Sequence, residues 1–598
     1  MTKGNLDPVV TVGSFCPPLD QARPCIRVLE LRAGKKEDEI KCRYCIRDLD
    51  NPEGVGYETL SYCWGPLTEH RTIRVEGHRV EVTDNLYSAL RRLRYADRNR
   101  LIWIDAVCIN QNDQEEKEVQ VNMMRRVYSD CIAGVCWLGD FSKSANTVAL
   151  EQANGVVDFI QFLNDNCRGR CPPTLATQSQ RKAIGAALRI MMDAAWWHRI
   201  WTVQEVVLPA TSDLVWGTVS IPWKSMIYAQ TVLTNSPGIE KLQSPIDLWD
   251  FFHPDTTTFF FTVPIHSLRM IASESSTPID LFYRFRSRSA TDPRDKVYGL
   301  MGLMKKIGFE RIQSADYNMD IVTLLKILGI ELIQINNLKH WVGQSGSPHT
   351  LPGLPSWAVD FTREDLSQSI DGLYWWEHRL VYDKFDADGR KAANWLYNKE
   401  ESKTYLILKG IKTDWIIHVI PPLTAEPPHP TAMKNDQLAA VDAQIQHWRV
   451  ALQAFIDDLA TKVNVSDADR DKMWTSFNKA CTGNFSDTSP DLDGVEKWKL
   501  EILRSKAIAV TNEAVVGLVP RMTQFGDQIH VMIGGRVPFV TREMRSLPEN
   551  PNIVPTIKVG EQSVAIHTLV GDCYIDGVMY GEAFRGKTDD QLDWVVFR

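Results

Sequence analysis

The sequence predicts an α/β fold: a parallel sheet flanked by helices, then a mostly helical region, then a small β-rich C-terminal unit. Three observations predict it. Leu101-Ile102-Trp103-Ile104 is a short continuous apolar run, the texture of a strand buried on both faces, and residues 132–138 form a second such run closed by Gly139-Asp140. Between them Val121, Met124 and Tyr128 repeat at helical spacing behind the polar turn Asn110-Gln111-Asn112-Asp113. Strand, helix and strand in about forty residues make a βαβ unit, which implies parallel strands.

The other elements follow in order. Ile26, Val28, Leu29 and Leu31 alternate as a strand pair would, and residues 57–62 form a strand running into a turn at Gly65. Residues 73–82 alternate at period two around Glu76-Gly77, the signature of a hairpin. Thr83-Asp84-Asn85 caps a helix carrying Leu86, Leu90 and Leu93, and Asp113 with Glu116 makes a capping box for the helix of the βαβ unit. Helices are expected over 145–165 and 180–193, a loop from Cys167 to Thr174, and a strand over 213–217. Asp292-Pro293 is a helix start, with aspartate as cap and proline as first helical residue. Pro421-Pro422, Pro427-Pro428 and Pro430 mark a loop, and 482–494 marks another. From Val515 short β runs are punctuated by glycine. The expected divisions are therefore 1–220, with its core over 57–210, a mostly helical 221–420, a helical insertion with loops over 421–514, and a β-rich 515–598.

Composition sets the class. The 598 residues are 44% apolar and 24% charged, as in an ordinary globular protein, and the net charge of −8 carries no nucleic-acid footprint. Apolar stretches fall short of the roughly 18 residues a membrane span needs, and the first seven residues lack a signal peptide's apolar segment, so a cytoplasmic location is expected. Ten of the 12 cysteines precede residue 172, and in that setting they read as reduced core residues. Cys42 and Cys45 have knuckle spacing without a second ligand pair, so no metal is assigned.

Several motifs are tempting. Gly581 to Thr588 matches the phosphate-loop pattern letter for letter, yet only ten residues remain after Thr588, and chance is the better explanation. Gly343-Gln344-Ser345-Gly346-Ser347 misses the nucleophile elbow at its last position, and neither HExxH nor GxGxxG occurs. What remains is polar residues at strand ends, where open α/β sheets bind ligands: Ser61, Trp64 and Gly65 leave one strand, Asp105, Asn110 and Asn112 another. On spacing alone, helix capping and turn formation are the better account of them. Trp201 and Glu205 lie four apart, on one helix face, and an apolar indole beside a carboxylate can raise its pKa into the range of an acid or base. A salt-bridged surface glutamate, with His198 packed among Trp196, Trp197 and Trp201, is the plainer alternative.

Together, Tyr57-Glu58-Thr59-Leu60-Ser61-Tyr62-Cys63-Trp64-Gly65, residues 101–111 and Arg199-Ile200-Trp201-Thr202-Val203-Gln204-Glu205 resemble the fungal heterokaryon-incompatibility (HET) domain family. Asp292-Pro293-Arg294-Asp295-Lys296, Leu354-Pro355-Ser356-Trp357 and Gly571-Asp572-Cys573-Tyr574 resemble the architecture around such domains. The resemblance implies a role in non-self recognition and regulated cell death. It also implies a distant similarity to TIR domains, hence a TIR-like parallel sheet. Some TIR domains cleave the nicotinamide–ribose bond of NAD through a glutamate in a Trp-Cys-x-x-Glu helix; here Thr202 stands in the cysteine position. On that basis Glu205 is the catalytic candidate, and Ser61, Trp64, Gly65, Asp105, Asn110 and Trp201 are ligand-binding candidates. No cofactor is implied, with NAD as a substrate and protein partners or self-association as the mode of signalling. The alternative is a non-catalytic signalling and interaction module on the same fold.

Overall fold

The structure, a computed structural model, describes residues 10–598 apart from 21, 52–55, 66, 67, 143–146, 166, 168–170, 236–250, 252–267, 269–276, 305–308, 343–350, 363–380, 383, 390, 391, 394, 401, 402, 425–433, 464, 484–491, 504, 505 and 546–553. The near-elbow at 343–347, the prolines at 427, 428 and 430, and parts of the loops expected over 167–174 and 482–494 lie outside the described residues. The chain divides into two compact units, the first holding Met1–Thr277, Phe285–Gly308 and Gln313–Asn318, the second Pro278–Arg284, Phe309–Ile312 and Met319–Arg598.

In the first unit the antiparallel pair β1 (Cys25–Leu31) and β2 (Lys41–Asp48) precedes β3 (Glu58–Tyr62). The hairpin β4 (His70–Val75) and β5 (His78–Thr83) follows. Its two-residue turn puts Glu76 at φ 51° and Gly77 at φ 83°, the left-handed pair that matches strand twist. Thr83 then accepts a hydrogen bond from the Leu86 amide and starts α1 (Asp84–Leu93). Next come β6 (Arg100–Trp103), the single turn α2 (Asp105–Cys108), α3 (Gln114–Ser129) and β7 (Ala133–Gly139). The helices α4 (Leu150–Asn164), α5 (Gln178–Met192) and α6 (Thr202–Val207) lead to β8 (Ser212–Trp216), β9 (Val219–Pro222) and α7 (Trp223–Asn235).

One nine-stranded sheet runs β5-β4-β2-β1-β6-β3-β7-β8-β9. It is mixed, which corrects the expectation of a parallel sheet. The consecutive strands β6, β3, β7 and β8 are parallel, as are β2 and β4, while the remaining pairings are antiparallel. The reason lies in the connections: β4–β5 and β8–β9 are joined by short turns, and a short turn can only reverse the chain. The βαβ unit is present, but its strands do not pair with each other. β3 lies between β6 and β7, pairing Glu58 with Ile102 on one side and Ser61 with Cys136 on the other.

Around this sheet Ile102, Trp103, Val127 and Tyr128 are fully buried in the unit's main apolar core. Trp103 meets Tyr128 edge to face at 5.6 Å. The start of α3 keeps half of the expected capping box: Asp113 accepts from the Glu116 amide at 3.0 Å. The Glu116 carboxylate turns the other way, to the Asn110 amide and to the buried guanidinium of Arg27, at 2.6 and 2.9 Å. Pairing a buried cation outranks closing the box. Cys42 and Cys45, three apart on β2, point to opposite faces and cannot share a ligand. The helix expected at Asp292 begins later, at Asp295, because Asp292 spends its carboxylate on the Arg294 amide and guanidinium.

The second unit is built on β10 (Trp395–Glu400), β11 (Lys403–Ile420), β12 (Lys506–Thr511), β13 (Val516–Pro520), β14 (Gln528–Met532), β15 (Phe539–Glu543), β16 (Thr556–Val559), β17 (Gln562–Asp572) and β18 (Asp593–Phe597). β11, β14, β15, β17 and β18 close into a small barrel, β18 pairing with both β17 and β11. The β texture thus starts at Trp395, not Val515, and its longest strand, β11, spans 18 residues. The helices Lys434–Lys462, Asp467–Thr482 and Leu492–Glu501 fill the connection from β11 to β12. Inside this unit Lys506 Nζ donates to both the Asp572 carboxylate, at 2.6 Å, and its carbonyl, at 2.7 Å. Trp357 of the Leu354-Pro355-Ser356-Trp357 segment is fully buried.

The phosphate-loop look-alike is a short 3-10 turn, Glu582–Phe584, and Thr588 caps a second one before β18. That is not a strand–loop–helix phosphate cradle. Among the described residues one helical stretch, Ile321–Trp341, is long and apolar enough to cross a membrane by length and composition, with mean hydropathy 1.5, so the expectation that every apolar stretch falls short is corrected. Half of it is buried inside the unit, and its buried Glu331 accepts from the Glu310 and Arg311 amides.

Candidate functional site

At the carboxyl end of β3 the chain delivers Ser61, which is 1% exposed. Its hydroxyl donates to Glu205 Oε2 and accepts from Trp196 Nε1 at 2.7 Å. Both partners come from the segment after α5. A 3-10 turn, Ala195–His198, turns Trp196 inward, and α6 presents Glu205, which is 5% exposed. This segment is held in place by the bridge between Arg199 and Ser289 and by the Ile200 amide on the Ser289 carbonyl at 3.0 Å.

Burial pushes the Glu205 carboxyl up to about 7, and the neighbouring Asp105 adds to the rise. The charge of Arg199, the Ser61 hydroxyl and the charge of Arg288 all pull it back down. Arg199 donates to the Tyr62 carbonyl, and its charge favours ionisation of Glu205 and of Asp105 alike. Asp105, at the first turn after β6, is also lifted by burial and accepts from Trp64 Nε1 at 3.0 Å. Arg288 is buried beneath α6, donating to Thr202 Oγ1 at 2.7 Å and to the Arg199 carbonyl at 3.1 Å. Two carboxylates and two guanidiniums thus meet in one network, so the group can hold its charges buried.

Beside this network lies a cleft of about 290 Å³, walled by Trp64, Gly65, Asn85, Trp137, Asp140 and Trp196 among others. Asn85 fixes its floor: the amide Nδ2 donates to the Cys63 carbonyl at 2.6 Å and Oδ1 accepts from Trp137 Nε1 at 2.8 Å. Gly65 turns the chain out of β3 at φ 78°, a left-handed conformation that a side chain rarely adopts. Two of the cleft's indoles, Trp64 and Trp196, give their N–H groups to the buried network behind.

Of the residues singled out in the sequence, Ser61, Asp105, Trp64 and Glu205 meet here, and Gly65 lines the cleft. Trp201 is half-buried and hydrogen-bonds to Asp295, so the indole one bond from the Glu205 network through Ser61 is that of Trp196. Asn110 is placed elsewhere: its amide goes to Glu116, its Oδ1 accepts from the Asn112 amide at 3.2 Å, and it abuts Gly13. It shapes its loop. His198 is exposed rather than packed among the tryptophans. Arg199 opens the segment that ends at Glu205, and a cation so close to that glutamate in the chain is the signal that points to it. Arg288 and Asn85 carried no such signal.

The family model described as "Heterokaryon incompatibility protein (HET)" matches residues 57–205, from the residue before β3 to Glu205 itself. The chain carries a HET domain. Among curated proteins it is similar to "Heterokaryon incompatibility protein 6, OR allele" of Neurospora crassa, 27% identical over 327 residues. That match covers 46% of this chain and 47% of the relative, so the chain spans about half the length of the curated relative it matches. No solved structure matches the chain. The limits of the HET match acquire a physical meaning from the network: its first strand supplies Ser61, its middle supplies Asp105, and its last helix supplies Glu205.

Proposed function

We propose that this chain acts in fungal heterokaryon incompatibility, with the HET domain as the effector module and the tryptophan-walled cleft as its ligand site. The family match and the relative's name support the role. One observation carries the assignment of the site. The same two indoles, Trp64 and Trp196, form the cleft wall and donate to the carboxylate–guanidinium network that ties the three motif segments together. A ligand stacked in the cleft would bear directly on that network, and protein partners or a second copy of the chain would read out the change. At 5% exposure Glu205 stands one layer behind the wall, so in this arrangement it is a positioning residue.

A second reading, TIR-like cleavage of NAD, is favoured by one specific feature: a carboxyl pushed up to about 7 within one serine of the cleft wall. For Glu205 to stabilise a ribosyl cation, the Ser61–Trp196 layer would have to open. Expression in fungal cells, with viability and cellular NAD both followed, separates the two. Wild type is expected to arrest growth without a fall in NAD, and Trp64→Leu to abolish the arrest. A fall in NAD that Glu205→Gln prevents, together with the arrest, would move the assignment to the second reading. Full viability with wild type would overturn the role.

A further inference from the structure

We propose that the cleft is a site for a small organic cation with a flat, delocalised charge, such as a guanidinium or pyridinium, and that it rejects anions. This rests on the reading of the cleft as a ligand site and adds the class of ligand.

The argument starts from what the walls contain. Three carboxylates line the cleft, Glu69, Asp84 and Asp140, and among the described residues none that lines it is a lysine, arginine or histidine. Asp84 pairs with the exposed Arg71 at 2.9 Å, and Asp140 accepts from the Ser142 amide at 3.0 Å and hydroxyl at 2.7 Å. Glu69 is exposed at the rim. The positive end of α1 opens toward the same space, but the Thr83 hydroxyl takes the Leu86 amide and Asp84 sits in the first turn, which leaves that end compensated.

The indoles decide the shape of the ligand. Trp64 is 36% exposed although its N–H is held by Asp105, so its ring is fixed and accessible. Trp137 and Trp196 are also held by their N–H groups, on Asn85 and Ser61, but at 2% and 1% exposure they back the wall, and Trp64 supplies the open indole face. Indole faces carry negative potential and attract cations, most strongly where water is displaced. Asn85, the neutral amide of the floor, has both its Nδ2 and Oδ1 engaged. A volume of about 290 Å³ fits one ring and its substituents. The pyrophosphate of a dinucleotide would bring two negative charges against the carboxylates, where like charges repel at short range.

Three probes of one ring shape and different charge test this on the full chain: 1-methylnicotinamide (cation), nicotinamide (neutral) and nicotinate (anion), titrated by calorimetry and tryptophan fluorescence. The cation is expected to bind at least tenfold more tightly than the neutral ring, with no binding of nicotinate. The double variant Glu69→Gln/Asp140→Asn, which leaves the buried network untouched, is expected to lose that tenfold preference while still binding nicotinamide. Equal binding of all three, or a preference for nicotinate, would overturn the charge assignment and leave the cleft as a ligand site. Silence from all three, and from argininamide and tetramethylammonium as well, would overturn both.

Discussion

Replacing Glu205 with alanine is expected to destabilise the HET domain by about 3 kcal/mol, the scale for stranding a buried hydrogen-bond partner and opening a core cavity. The loss has three parts. Ser61 loses its acceptor in a place where water cannot replace it, and it is 1% exposed. Arg288, 6% exposed, is pushed down to about 9 by burial, and it loses the charge of Glu205, which favours its ionised form. A cavity opens behind Trp196. Because the chain has two units, global denaturation would blend their transitions, so the readout is amide exchange in β3 and β7. Those strands should lose protection while the barrel strands of the second unit keep theirs. Protection unchanged in β3 would show that the network contributes nothing to the domain.

The second large effect belongs to the other unit. Lys506→Met is expected to cost about 3–5 kcal/mol there, because it strands the Asp572 carboxylate, which has no exposed surface, without its cation. The double variant Lys506→Met/Asp572→Leu should recover most of that loss, since two apolar side chains need no compensation. Amide exchange of β12 and β17 measures both. If the double variant is as unstable as the sum of the two single changes, the pair acts through packing and not through charge. This pair explains why aspartate follows glycine in Gly571-Asp572-Cys573-Tyr574: the position is a buried anchor for the lysine at the start of β12.

Local signals were legible in the sequence wherever one short stretch carries its own physics. The Glu76-Gly77 hairpin turn, the Thr83 cap and the apolar runs of β6 and β7 all appear as expected. What could not be read was pairing at a distance. Nothing between residues 101 and 139 says that β3 lies between β6 and β7, because strand order is fixed by the whole sheet and not by the crossover that joins two of its members. β11 was hidden for a different reason: its apolar and charged residues mix without a clean period, since part of the strand is buried on both faces of a barrel.

The site divides in the same way. Ser61, Asp105 and Glu205 each stand in a recognisable motif, which is how the sequence points to them. Asn110 stands in the same motif as Asp105, and its hydrogen bonds serve the loop before α3. Arg288 was missed because a buried cation is identified by its neighbours, and here these are Thr202 and Glu205, far off in the chain. The cleft was anticipated only as a place, the ends of the parallel strands; its acidic and aromatic character emerged once Asn85, Trp137 and Asp140 were brought beside Trp64.

The central claim is that Glu205 is the buried keystone joining the three segments of the HET domain, and the pH dependence of stability tests it most directly. Burial lifts its carboxyl from the usual 4.5 to about 7, so folding takes up a proton between those values. The protonated form fits the site better. Its contribution is therefore fully present below about pH 4.5 and is lost progressively as pH rises to 7, by about 3 kcal/mol in all. Glu205→Gln keeps the shape and an acceptor for Ser61 but cannot titrate. Measured by amide exchange in β3 from pH 5 to pH 8, wild type should lose stability steadily up to pH 7 and level off above it, and Glu205→Gln should lose much less. Parallel curves for the two proteins would contradict the account.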